Sequence, residues 1–224
     1  MEIPDLTTYL ILHRGMRFDG ARLAAAVQGV SEQDRIRRGN ALARWYAGYH
    51  RQLHEHHTVE DEIFFPAILE RVPLFDSQID RIEAEHNRLE ELLERTGRML
   101  KAISDPNVDW PVASAEAVET TSELRMLLDL HLGFEDADVL PLFVRHFGRE
   151  EYEDLDERAL KSAKLDQLKF AIPWVMEAAN SDERDKLFAG APFAFKLLWY
   201  ATRRRYNRMA RDAFGSAVPA GAVA

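Results

Sequence analysis

Two stretches of the chain carry the same chemistry at the same spacing. The first is His56-His57-Thr58-Val59-Glu60-Asp61-Glu62-Ile63-Phe64-Phe65-Pro66, and the second is His131-Leu132-Gly133-Phe134-Glu135-Asp136-Ala137-Asp138-Val139-Leu140-Pro141. Both reduce to His, three residues, Glu-Asp, four residues, Pro. On a helix, residues four apart share a face with Cβ atoms ~5–6 Å apart. Each copy therefore aims an imidazole and a carboxylate at one point, which is how helical side chains chelate a metal. One His-x-x-x-Glu arises readily by chance; two copies with matching Asp and Pro offsets do not. Nitrogen and carboxylate donors without thiolate suit iron, manganese or zinc.

Further histidines sit on apolar stripes of the helices that must bring these stretches together. A first helix, expected from about Thr7 to Gly29, carries His13 among Leu6, Leu10, Met16, Ala24 and Val27. A second, capped by Ser31 and running to about Glu70, carries Leu42, Trp45, Tyr49, Leu53, His56, Glu60 and Ile63 at steps of three and four. The adjacent stripe of that helix holds His50, His54, His57 and Asp61 and competes for the same role; His56 with Glu60 is preferred because Glu60 aligns with Glu135. A third helix, Leu74 to Ile103, sets His86 within Phe75, Ile79, Ile82, Leu89, Leu93 and Leu100. The turn residues Ser104 to Pro111 end it. A fourth, Ala113 to Phe147, leads through Leu124, Leu127 and Leu128 into His131 and Glu135, with His146 at its exposed end.

The order is two hairpins of long helices. Each gives one His from its first helix and a His-x-x-x-Glu from its second. Short connections make neighbours antiparallel, so the fold class is all-α: an up-down-up-down four-helix bundle over residues 1–148. Residues 149–224 form a further helical extension packed on it. There, Pro173 marks a break, Asn180 with Glu183 reads as a capping box, and a last helix starts near Pro192. Its arginines, Arg203, Arg204, Arg205 and Arg208, are expected to form a solvated face in salt bridges with the acidic bundle. Ser216 to Ala224 reads as a small, fraying tail.

Composition excludes several classes. Among 224 residues there is no cysteine, which removes thiolate zinc sites, iron–sulfur clusters and disulfide scaffolds and fits a cytoplasmic setting. The net charge of −9 argues against nucleic acid as partner. No apolar run approaches the ~20 residues of a membrane span, and the N-terminus lacks the pattern of a signal peptide. His54-Glu55-His56-His57-Thr58 fails the zinc-protease motif at Thr58, and only one Glu-x-x-His, Glu83 to His86, is present where the ferritin-like carboxylate pattern requires two.

The set His13, His56-x-x-x-Glu60, His86 and His131-x-x-x-Glu135, with an apolar-Pro run after each Glu, resembles the hemerythrin-like family. That resemblance implies a non-haem centre of two iron ions sharing an oxo or hydroxo bridge, with manganese or zinc behind iron. It assigns His13, His56, Glu60, His86, His131 and Glu135 as ligands, the two carboxylates bridging. Oxygen carriers of the family have a fifth His one turn before the third-helix His, where this chain has Ile82. Their second carboxylate is an Asp five residues after its His, corresponding to Asp136. Asp136, His57 and Glu83 are therefore further candidates. The function implied is binding of O2, or reaction with peroxide or nitric oxide, in sensing, storage or stress defence. A di-iron oxidase or oxygenase on an organic substrate, an adaptor signalling iron or oxygen through the C-terminal helices, and a purely structural site stand as alternatives.

Overall fold

The computed structural model describes residues 2–215, so the expectation for Ser216 to Ala224 lies outside the described residues. Among them every regular element is helical. The order is α1 (Thr7–Gln28), α2 (Arg35–Val59), α3 (Phe65–Arg71), α4 (Asp76–Ser104), α5 (Trp110–Phe134), α6 (Leu140–His146), α7 (Arg149–Ser162), α8 (Leu165–Ala178), α9 (Ser181–Gly190) and α10 (Phe193–Phe214). No described helix is long and apolar enough to cross a membrane.

Local chemistry explains most boundaries. Asp109 caps α5 by accepting from the Val112 amide at 3.2 Å, with Pro111 in the first turn where its missing N–H costs nothing. Asn180 and Glu183 cap α9 reciprocally, as their spacing predicts. Ser31 does not cap α2. It lies before a turn, and its own amide and hydroxyl donate to Asp34, the residue preceding the helix. Pro173 does not break α8; it sits inside it.

The second and fourth helices expected from sequence each contain one wide turn. Glu60–Phe64 joins α2 to α3 and Glu135–Val139 joins α5 to α6, both as π-helix. The Phe65 amide bonds the Glu60 carbonyl and the Leu140 amide bonds the Glu135 carbonyl, one residue further back than in an α-helix. Pro66 and Pro141 give the reason. Neither can donate to the carbonyl four residues earlier, and each ring would collide with it. A π-turn relieves that clash without ending the helix. Both π-turns begin on a glutamate of the repeated motif.

The four long helices pair in a ring: α1 with α5, α5 with α4, and α4 with α2. The fourth seam, between α1 and α2, has few direct contacts and is filled by α8 and α10. Trp174 of α8 and Tyr206, Ala210 and Ala213 of α10 are buried in one core with Trp45, Tyr49, Leu89 and Leu128. Small residues permit this approach. A Cβ on Gly48 would stand 2.2 Å from the Phe170 ring, and one on Gly15 3.0 Å from the Ala178 Cβ. A second apolar cluster gathers Phe64, Phe65, Phe75, Ile82, Val139 and Phe143 with Tyr152 of α7. The expected salt bridges of the C-terminal arginines to the acidic bundle are not formed: Arg203, Arg204, Arg205, Arg208 and Arg211 have no carboxylate within 4.0 Å among the described residues.

Candidate metal centre

Between the two apolar clusters lies a layer of seven ionisable side chains that are at most 8% exposed: His13, His56, His57, Glu60, His86, His131 and Glu135. Their donor atoms fall into two groups, His13 with His56, Glu60 and Glu135, and His57 with Glu60, His86 and His131. In the first, His13 Nε2 and His56 Nε2 approach to 3.1 Å, and His56 Nε2 lies 3.1 Å from Glu60 Oε1. In the second, His86 Nε2 and His131 Nε2 are 3.2 Å apart. The carboxylates face both ways. Glu60 Oε2 is 3.7 Å from His86, Glu135 Oε1 is 3.3 Å from His131, and Glu135 Oε2 is 3.6 Å from His13.

Glu60 Oε2 and both Glu135 oxygens are buried without a hydrogen-bond partner, as is His57 Nε2. Burying an unpaired polar atom costs ~1–3 kcal/mol, and more when it is charged. Here four such atoms converge among imidazoles, an arrangement that becomes favourable when cations occupy the spaces between them. Five imidazole nitrogens and two carboxylates that face both groups are a donor set for two cations. The residues fit the metal that the repeated motif anticipates.

Electrostatics prepare the same outcome. Burial, reinforced by the neighbouring imidazoles, pushes His56 and His57 well below the ordinary histidine range. Burial likewise lowers His131. These rings are neutral near pH 7, the form that ligates a metal. Burial and the facing Glu135 drive Glu60 well above the carboxylate range, a repulsion that a shared cation removes. His86 is the exception. Burial pulls it down, but the hydrogen bond to Asp61 and the nearby carboxylates of Glu135 and Glu60 outweigh this and raise it to about 10.

Outer carboxylates orient three of the rings. Asp136 Oδ1 is 2.7 Å from His13 Nδ1, Asp61 Oδ1 is 3.0 Å from His86 Nδ1, and Glu85 Oε2 is 3.0 Å from His131 Nδ1. An Nδ1–H held this way leaves Nε2 as the inward lone pair and makes it more basic. Arg17 steadies Asp136 at 2.7 Å and Arg81 steadies Glu85 at 2.8 Å. Tyr9, one turn before His13, donates its hydroxyl to Glu60 Oε1.

Each residue singled out from sequence can now be placed. His13, His56, Glu60, His86, His131 and Glu135 are brought together. Asp136 stands behind His13 rather than among the inner donors, and Glu83 is exposed on the outside of α4, away from both groups. His57 enters the second group, stacked on His86 with ring centroids 4.2 Å apart. Two stripes of α2 compete in sequence, but both point inward, His56 into the first group and His57 into the second. The ring missing at Ile82, which is buried in the apolar cluster, is matched by one arriving from α2. His50 and His54 pair with Glu90 outside the centre, and His146 is exposed. Asp61, which the sequence sets on the competing stripe with His57, stands behind His86 instead; Tyr9 and Glu85 escape the sequence reading, and the i−4 step from His13 to Tyr9 is the signal that marks one of them.

The chain is similar to zinc finger protein BRUTUS of Arabidopsis thaliana, 22% identical over 159 residues that cover 59% of this chain and 13% of that protein. It thus spans a small fraction of that relative's length. No solved structure matches the chain. The hemerythrin HHE cation-binding domain matches residues 12–143, from the residue before His13 to the third residue after Leu140, and the chain belongs to that family.

Proposed function

We propose that this protein binds two iron ions, which His13, His56, His57, Glu60, His86, His131 and Glu135 would hold, and that it binds O2 or reacts with peroxide or nitric oxide. The observation that carries the reading is the set of partnerless Glu60 and Glu135 oxygens facing imidazoles on both sides. A pair of ferrous ions supplies electrons and coordination positions to such small molecules. Neutral imidazoles outnumber carboxylates, which favours the divalent state of iron over higher ones.

The remaining residues bind, orient and exclude. Asp136, Asp61 and Glu85 fix three ring tautomers, and the Tyr9 hydroxyl holds one Glu60 oxygen in place. Apolar side chains above and below the layer keep bulk water out. With all seven inner residues so deeply buried, a diatomic molecule or peroxide reaches them through small side-chain fluctuations, whereas a bulky organic substrate does not. That weighs against the oxygenase alternative. The cavity shared by bundle and extension does not serve it either. Its bundle residue, Arg22, stands nine residues beyond His13, ~13 Å along α1 at the helical rise. The absence of cysteine and the acidic surface suit such chemistry in the cytoplasm, in sensing, storage or stress defence.

The test is to load the chain with Fe(II) under anaerobic conditions and admit O2, peroxide and nitric oxide separately, following near-ultraviolet and visible absorption. New bands that return to baseline on removal of O2 support carriage or sensing. Sustained loss of repeated peroxide additions supports turnover. An iron-loaded protein that responds to none of the three contradicts the proposal.

A further inference from the structure

A second site lies in the C-terminal helices, away from the metal layer. Helices α8, α9 and α10 and one residue of α1 line a solvent-open cleft of about 330 Å³. That is within the ~300–1,000 Å³ common for small-molecule sites. Four guanidinium groups line it, from Arg22, Arg184, Arg203 and Arg211, with Trp199 among them and Glu177 as the one carboxylate. Such a concentration of positive charge is out of character for a chain of net charge −9.

Among the described residues, three of the four arginines are not engaged by carboxylates. Arg184, Arg203 and Arg211 have no carboxylate within 4.0 Å among the described residues. Arg22 has a side chain only 8% exposed, yet its Nε has no hydrogen-bond partner. Its Nη2 forms an ion pair with Asp19 Oδ1 at 2.7 Å. Glu177 is already engaged, accepting from the Tyr206 hydroxyl and lying 3.6 Å from Arg22. Arg203 is held over the Trp199 ring at 4.5 Å, which fixes one guanidinium at the cavity wall. Like charges gathered in a concave, partly desolvated space repel one another unless an anion joins them.

We propose that this cavity binds a small phosphate-bearing molecule. Guanidinium forks match phosphoryl oxygens two at a time, and the three arginines without a carboxylate, Arg184, Arg203 and Arg211, leave a charge that a diphosphate group neutralises. The ligand's remaining, less polar part meets the exposed portion of Trp199 and the Met176 and Pro173 side chains of α8.

The experiment is titration calorimetry on the full, metal-loaded chain with three probes: inorganic phosphate, pyrophosphate and succinate. Metal content is measured before and after each titration. Saturable binding of pyrophosphate at one site per chain, tighter than phosphate and not shared by succinate, is expected. Arg203→Gln and Arg211→Gln each weaken it about tenfold, while Arg204→Gln and Arg208→Gln, outside the cavity, leave it within twofold. Circular dichroism confirms that the variants are folded. Binding of succinate alone overturns the phosphoryl assignment. Absence of saturable binding, or equal weakening by all four substitutions, overturns the site itself, since the latter is the behaviour of a diffuse surface field.

Discussion

His57→Leu separates a ligand from a core histidine, because the two roles predict opposite signs. The imidazole is 5% exposed and its Nε2 has no partner. In the metal-free protein that unpaired nitrogen costs ~1–3 kcal/mol. Leucine fills a similar volume without it. The substitution also forfeits the stacking of His57 on His86, rings 19° from parallel, a contact of ~0.5–1.5 kcal/mol. The difference favours the variant by about 1 kcal/mol, or ~2–4 °C in melting temperature for a chain of this size. With metal the sign reverses. The second group keeps two imidazoles of three, and its cation is held more weakly by more than the 10–100-fold that loss of an outer-shell partner costs. The assay is thermal unfolding by circular dichroism in chelator and with anaerobic Fe(II), together with metal analysis after dialysis. The variant should melt higher than the native protein without metal and lower with it, retaining about one ion. A variant that melts lower without metal and keeps both ions would show His57 to be a packing residue, and the two-group account of the site would be wrong.

Three further outcomes follow from the same geometry. Asp61→Asn and Asp136→Asn, which disturb the rings of His86 and His13 without touching the inner donors, should each weaken metal binding ~10–100-fold in a competitive chelator titration while leaving the helical content intact. Asp19 sits between α1 and α8, accepting from Trp174 Nε1 at 2.6 Å, and burial raises its pKa to about 7 despite the opposing pull of Arg22. The folded protein therefore keeps this proton where the unfolded chain, ionising near 4, has lost it, so stability falls as pH rises from about 4 to about 7. In Asp19→Asn that fall should be shallower in denaturant titrations of the metal-free protein, and identical slopes would refute the assignment. Gly48→Ala pushes a methyl group into the Phe170 ring and should cost ~1–3 kcal/mol of stability in denaturant melts with metal stoichiometry unchanged.

The sequence makes the helices and the inner residues legible for one reason: both are written in the same period. Steps of three and four place His13, His56, His86 and His131 on the stripes that also carry Leu53, Leu89 and Leu128, so the core and the ligands are read together. What the period hides is where it changes. The π-turns at Glu60 and Glu135 follow from proline stereochemistry six residues after each glutamate, and the prolines stand in plain view, but a helical projection assumes one pitch throughout. His57 is obscured for a different reason. A single inward stripe is the right expectation for a helix facing a simple core, and here the neighbouring stripe turns inward as well, bringing His57 to Glu60, His86 and His131. The seam between α1 and α2 is equally silent. Nothing in Gly15 or Gly48 alone says that α8 will lie against them, and the contact exists only because Trp174 and Phe170 find space there. The C-terminal arginines mislead because overall charge suggests acidic partners nearby, whereas the fold sets Arg203 with Arg22, Arg184 and Arg211 around a cavity.

The central claim is that one chain holds two cations between five of its eight histidines and the glutamates Glu60 and Glu135. Anaerobic titration of the metal-free protein with Fe(II), followed by elemental analysis of the desalted product, tests it most directly. The account predicts two irons per chain, falling to none or one in Glu60→Ala and Glu135→Ala and staying at two in His50→Ala and His146→Ala. A single iron in the native protein, or two that survive loss of either glutamate, would contradict it.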